Sequence, residues 1–372
     1  MGAPEPAAAA PDYDVALYGK DPTPRIVAVH PLRDDAQARV RVYRRSPDGA
    51  HVTEADEAFY PFFFLSDADL LRGFPRERFR FQPLDGDNFY RFLVVFASWP
   101  AYWDAVRHVE RVASKNAATK TATGAQAAAP LYLGGSPAQQ YLMQTGRTSF
   151  KEMTFDDLHR LQLDIEVFSS AGFPQAHRPE DEVIIVSMTD NRGWKQLLHL
   201  APGVDVPGGV AFETEADLLG HLVALLRERD PDVLEAHNGL AFDFPYLMKR
   251  CERHRVPFAI GRDGSVPRAY PSSMRFAERT VEFPALDVAG RHVVDTYLLV
   301  MGYDVVKRDL RGYGLKAAAR HFGFAAEDRT YVEGDQISRV WREDPARLLA
   351  YALDDAVETE RLARHLSGLV RE

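Results

Sequence analysis

Three short runs place carboxylates at spacings that can do chemistry: Leu163-Asp164-Ile165-Glu166, Asn238-Gly-Leu-Ala-Phe242-Asp243 and Tyr351-Ala-Leu-Asp-Asp355. Around the first, Leu161, Leu163, Ile165 and Val167 alternate with Gln162, Asp164 and Glu166, the period of a strand with one apolar and one polar face. Residues two apart on a strand share a face at about 6.6 Å of rise, so Asp164 and Glu166 can ligate one divalent ion or bridge a close pair. Two solvated carboxylates on the wet face of an edge strand would read the same way. The second run falls after a strand and before a helix. An anion near a helix N-terminus is stabilised by about 0.3–1 kcal/mol, which favours a deprotonated ligand at Asp243, although a simple helix cap accounts for Asp243 taken alone. In the third run Tyr351 and Asp355 are four apart on a helix, so a phenol and a carboxylate can address the same reacting atom. Taken alone, they read as a core aromatic and a solvated charge. Asp354 points about 100° away on an ideal helix and is assigned to solvent.

The rest of the chain must position these groups. At roughly 150 residues per domain, 372 residues give two to three domains. Hydrophobic residues make up 46% and charged residues 27%, the composition of a folded chain and not a disordered one. Asp plus Glu outnumber Lys plus Arg by 54 to 45, a net charge of −9, so any nucleic-acid binding must come from local patches or bound metal. The single cysteine, Cys251, cannot close an intrachain disulfide and reads as a packed thiol in a reducing compartment. No apolar run approaches the roughly 20 residues of a membrane span, and Met1 to Pro11 lacks basic residues, so the expectation is a cytoplasmic protein without a membrane partner.

Residues 1–11, Ala and Pro with nothing to bury, read as a disordered tail. Short β-like runs follow (Asp14–Tyr18, Arg25–His30, Ala38–Tyr43), then a strand at Phe89–Phe96 and an amphipathic helix from Trp99 to Val112, giving an N-terminal α+β domain over 12–115. An Ala, Thr and Gly-rich stretch from Lys115 to Pro130 lacks hydrophobic period, so 116–154 is taken as linker and connecting segment. Over 155–372 the order β-β-β-α-β-α-β-α predicts a mixed α/β sheet covered by helices. Its third-run helix starts at Asp344-Pro345. Phe258 to Phe283, rich in Pro, Gly and Arg, reads from sequence alone as a long loop.

Taken together and in this order, the three runs resemble the exonuclease motifs of the DEDD superfamily in the form carried by family B DNA polymerases, tyrosine subtype. Arg229-Asp-Pro-Asp-Val, Gly261-Arg-Asp-Gly, Gly290-Arg-His-Val-Val-Asp295 and Tyr313-Gly-Leu-Lys are similar to connecting segments of that family. The resemblance implies a ribonuclease H-like mixed sheet flanked by helices, and 3′→5′ removal of nucleotides from single-stranded or frayed DNA ends in a nucleoid-associated setting. It implies a proofreading or DNA-repair role. Asp164, Glu166, Asp243 and Asp355 would bind two Mg²⁺ or Mn²⁺ ions, Tyr351 would orient the attacking water, and Asn238 and Phe242 would hold the terminal nucleotide. It also implies a hairpin within 258–283. Val167 stands where the polymerase motif usually has Thr, and Glu235-Ala-His237 where a small residue commonly precedes Asn238. Four clustered carboxylates cannot all stay ionised in a partly buried site unless they share protons or bind cations. No Asp-rich palm motif such as Asp-Thr-Asp is present, so DNA synthesis is not expected. An exonuclease acting on RNA, or a non-catalytic module binding DNA ends or a polymerase or repair protein, remain the alternatives.

Overall fold

In the computed structural model, the described residues are 20–32, 37–119, 129–325 and 331–369. The expected tail over 1–11, the expected strand at 14–18 and residues 120–128 of the expected linker lie outside them. The chain divides into two compact units, Met1–Met153 and Thr154–Glu372.

In the first unit, β1 (Ile26–Leu32), β2 (Arg39–Arg45) and β3 (Val52–Ala58) form an antiparallel sheet. A second sheet has the order β5-β6-β4-β7, built from β4 (Phe62–Leu65), β5 (Arg80–Pro83), β6 (Phe92–Val95) and β7 (Leu131–Leu133). Helix α1 (Trp99–Thr119) packs Tyr102, Ala105, Val106 and Val109 on Phe63, Leu65, Val94 and Phe96, and α2 (Pro137–Thr145) follows with a Ser136–Gln139 capping box. Helix α1 runs past Val112, with Ala113, a strong helix former, still packed on the same core.

The second unit is a six-stranded mixed sheet of order β11-β10-β9-β8-β12-β15. Strands β8 (Arg160–Val167), β9 (Val183–Asp190) and β10 (Lys195–His199) form the expected antiparallel meander, and β11 (Gly209–Ala211) joins β10 in parallel. Helix α3 (Glu215–Arg229) starts where the Thr214 hydroxyl accepts a hydrogen bond from the Asp217 amide. Strand β12 (Val233–Ala236) returns parallel to β8, and α4 (Asp243–His254) follows. The segment expected from sequence alone as a long loop contains an antiparallel hairpin, β13 (Arg268–Phe276) and β14 (Arg279–Asp287), turning at Ala277-Glu278. Its strands are largely exposed and carry Pro, Ser and Arg in place of an alternating apolar pattern, so no strand period is visible. Strand β15 (His292–Asp295) pairs in parallel with β12 and leads into α5 (Thr296–Lys307), α6 (Leu315–His321), α7 (Ile337–Glu343) and α8 (Pro345–Leu369). This is the expected mixed α/β architecture.

Each face of the sheet has its own cover. Leu161, Leu163, Ile165 and Val167 bury against Leu218, Leu222 and Leu226 of α3 and Phe244 and Leu247 of α4. On the other face Ile184, Ile185 and Leu197 meet Val340 of α7 and Leu348, Leu349 and Ala352 of α8. Between α3 and α4 the Arg250 guanidinium, fully buried, donates to Glu215 Oε1 at 2.8 Å, and Glu215 also accepts from the Val183 amide at 2.8 Å and pairs with His254 at 2.6 Å. Removing one partner of such a pair leaves an uncompensated buried charge. Glu215→Ala is therefore expected to cost about 3–5 kcal/mol, read as a lower urea midpoint for the transition of this unit; an unchanged midpoint contradicts this packing.

Candidate active site

Strand β8 is interior, and its polar face is covered by α8, so Asp164 and Glu166 are not the wet side of an edge strand. Glu166 is 4% exposed, Asp355 6% and Asp164 half-buried. Each offers an oxygen to a group of three whose atoms all lie within 4.8 Å of one another. Asp243 approaches from α4. Its Oδ1 accepts the Ile165 amide at 3.1 Å, which ties its carboxylate to β8 midway between Asp164 and Glu166. The residue that sequence assigned to solvent, Asp354, is half-buried.

The turn carrying the second run is built for close approach. Asn238 has φ 64°, a left-handed conformation that Asn tolerates better than most residues. A Cβ on Gly239 would stand 2.3 Å from that of Ala236, so only glycine fits there. Asp295 fastens this turn: Oδ1 accepts the Asn238 amide at 2.8 Å and Oδ2 the Leu240 amide at 3.1 Å, while Oδ1 also caps α5 through the Tyr297 amide at 2.9 Å. His237 is half-buried, and its Nε2 donates to the Tyr313 carbonyl at 3.0 Å while Nδ1 faces the Thr296 hydroxyl at 2.9 Å. Burial pushes it down to about 4, and with both ring nitrogens engaged in hydrogen bonds the neutral ring acts as a strut.

Electrostatics mark the cluster out. Burial raises the Glu166 carboxyl well above the usual range, and Asp355 and Asp243 push the same way while Lys316 opposes. Burial likewise raises Asp243 to about 7; the Ile165 amide opposes this, and Asp295 and Asp355 add to it. Tyr351, 5% exposed, is raised by burial and by Asp355, to which its hydroxyl is hydrogen-bonded, and it remains a protonated donor. The all-oxygen donor set, acidic and mutually repelling, suits a hard divalent cation such as Mg²⁺ or Mn²⁺.

Two residues that sequence did not single out belong to this neighbourhood. The Lys316 ammonium lies 4.9 Å from the centre of the Tyr351 ring and donates to the Val332 carbonyl. It sat unremarked within Tyr313-Gly-Leu-Lys. Phe173, 74% exposed, packs edge-on to Phe242 at 5.9 Å. It lies in a loop without periodicity, so nothing local signalled it. Beside these rings a cavity of about 360 Å³ is lined by Glu166, Ser169, Ser170, Phe242, Asp335 and Ser338.

A mixed sheet thus brings together carboxylates from a strand, a helix start and a long covering helix, and comparisons with known proteins bear on what such a chain resembles. Residues 141–317 match the family described as DNA polymerase family B, exonuclease domain. The chain is 30% identical over 231 residues to a DNA polymerase of Thermococcus kodakarensis, covering 61% of this chain and 12% of that protein. It is 28% identical over 234 residues to a DNA polymerase of Pyrococcus horikoshii, covering 61% of this chain and 17% of that one. In fold it is similar to the family B DNA polymerase of Pyrobaculum calidifontis, with a TM-score of 0.63 at 22% identity, over 92% of this chain and 45% of that structure. The chain spans well under a third of the curated relatives it matches. Residues 141–317 are thus similar to the exonuclease domain of DNA polymerase family B, and the exonuclease domain of those polymerases is a 3′→5′ exonuclease. Among the described residues no helix is long and apolar enough to cross a membrane.

A carboxyl raised on folding binds protons that the unfolded chain has released. Its stabilisation is therefore present at low pH and lost as pH rises through the folded value. Metal-free protein should lose stability between the ordinary 3.8 and about 7 as Asp243 ionises, and Mn²⁺ at pH 8 should restore it. Thermal melts of wild type and Asp243→Asn check this: the variant should show a flatter profile, and identical profiles contradict the account.

Proposed function

We propose that this chain is a metal-dependent 3′→5′ exonuclease of proofreading type, acting on single-stranded or frayed DNA ends and releasing nucleoside 5′-monophosphates. The observation that carries the reading is the convergence of Asp164, Glu166 and Asp355 oxygens within 4.8 Å, with Asp243 fastened to the same strand. These four carboxylates would hold two Mg²⁺ or Mn²⁺ ions, which when bound supply an activated water and charge neutralisation at the departing 3′-oxygen.

The chain's own residues do the remainder. Tyr351, kept protonated and hydrogen-bonded to Asp355, presents a hydroxyl beside the carboxylates and orients the attacking water. Lys316 holds the Tyr351 ring from one side and offsets part of the acidic charge. Asn238, in its left-handed turn, and Phe242, at the cavity wall, hold the terminal nucleotide; Phe242 and Phe173 together offer faces on which bases stack. Stacking and phosphate contacts do not read base identity, so base preference should be weak. A DNA substrate also lets an acidic chain bind a polyanion locally, through metal, against its net charge of −9.

Degradation of 5′-labelled single-stranded DNA and matched RNA with Mg²⁺, Mn²⁺ or EDTA tests this. The expected result is a ladder shortening from the 3′ end with metal, none with EDTA, none for Asp164→Ala/Glu166→Ala, and DNA cleaved faster than RNA. Tyr351→Phe should lower kcat by roughly tenfold or more with KM little changed. No nucleotide release with either metal would leave a binding module, and faster RNA cleavage would make RNA the substrate.

A further inference from the structure

The face of β8 that meets α8 carries no apolar side chain. It is Arg160, Gln162, Asp164 and Glu166 in succession, with Arg160 and Gln162 fully buried. The two halves of this stripe are treated differently. The upper half holds the carboxylates of the site. The lower half is a buried polar network: Arg160 Nη1 donates to both Glu235 oxygens at 3.1 and 3.0 Å, and its Nη2 reaches Glu360 of α8 at 3.2 Å. Gln162 donates to Glu235 at 2.5 Å and accepts from the Thr189 hydroxyl at 3.0 Å, which also lies 3.3 Å from the Ala356 carbonyl of α8. The Arg160 guanidinium is stacked 4.2 Å from the Phe155 ring centre. Thus α8 is gripped at Ala356 and Glu360, immediately beyond Asp355.

We propose that Arg160, Glu235 and Glu360 are positioning residues that set the axial register of α8 on β8, and so hold Asp355 against Asp164 and Glu166. The proposal rests on the reading of these carboxylates as a metal site. An apolar interface is non-directional and lets a helix slide, whereas charge-assisted hydrogen bonds fix distance and angle. A slip of one residue moves Asp355 by about 1.5 Å along the axis, a large part of the 4.8 Å within which the three carboxylates meet. Arg160 is four residues from Asp164, about 13 Å along the strand, so it acts through α8 and not by direct neutralisation of the site. A buried ion pair is a poor substitute for apolar packing as a source of stability; here it supplies register.

Glu360→Ala is the test, because Glu235 continues to neutralise Arg160 and only the tie to α8 is cut. Mn²⁺ affinity is measured by calorimetry, which needs no turnover, together with kcat and KM on single-stranded DNA. Glu360→Ala should bind Mn²⁺ about tenfold more weakly and lose kcat with KM for DNA unchanged. Glu360→Gln, which keeps an acceptor for Arg160, should recover most of both. Arg364→Ala, which removes the outer partner of Glu360 at 2.7 Å and an exposed pair with Asp156 but leaves the Arg160–Glu360 tie, should match wild type. Failure of the exonuclease reading would appear as bound Mn²⁺ without released nucleotides. Failure of the present proposal would appear as equal Mn²⁺ affinities in wild type and Glu360→Ala, or as equal losses in Glu360→Gln and Glu360→Ala.

Discussion

Carboxylates buried against one another repel, and the second unit is organised around making that repulsion tolerable. Glu166 and Asp355 are nearly excluded from water, and Asp243 is drawn to the same strand. No apolar packing can offset such an arrangement on its own terms, because like charges in a low dielectric push each other toward protonation. Burial first, and the neighbouring carboxylates after it, raise Glu166 and Asp243 above the usual carboxylate range. On the proposed reading, a divalent cation would convert the liability into an affinity, and the same geometry would suit phosphodiester chemistry.

Holding the groups in place falls to rigid elements and not to loops. The apolar side of β8 is locked between α3 and α4, which leaves its polar side free to carry function. Asp243 reaches that side by accepting the Ile165 amide, and its own helix begins from a turn fastened by Asp295. Helix α8 then closes the site from the opposite face, with Leu348, Leu349 and Ala352 in the core and Tyr351 and Asp355 at the cluster. Three separate strands of β12, β8 and β9 meet α8 through a polar network, where a purely apolar seam would have been easier to build.

Much of this was legible in the sequence, for identifiable reasons. The alternation around Asp164 gave a strand with two unlike faces, and the Thr214 cap and Pro345 marked helix starts that the structure contains. What could not be read was which polar face is wet. Gln162 and Arg160 look like surface residues locally, and only the arrival of α8, some 190 residues later, buries them. Phe173 and Lys316 were missed for the same reason, since their partners Phe242 and Tyr351 are distant in the chain. The hairpin of β13 and β14 leaves no period in the sequence, because its exposure removes the alternation that betrays a strand, and only the family resemblance implied one there.

The central claim is that the convergence of acids is a cation site. Anomalous scattering from crystals grown with Mn²⁺ and a nucleoside 5′-monophosphate tests it most directly. The account predicts two Mn²⁺ peaks held by Asp164, Glu166, Asp243 and Asp355, with the nucleotide phosphate upon them and its base against Phe242. Well-ordered side chains at those four positions with no peak among them at saturating Mn²⁺ would contradict it.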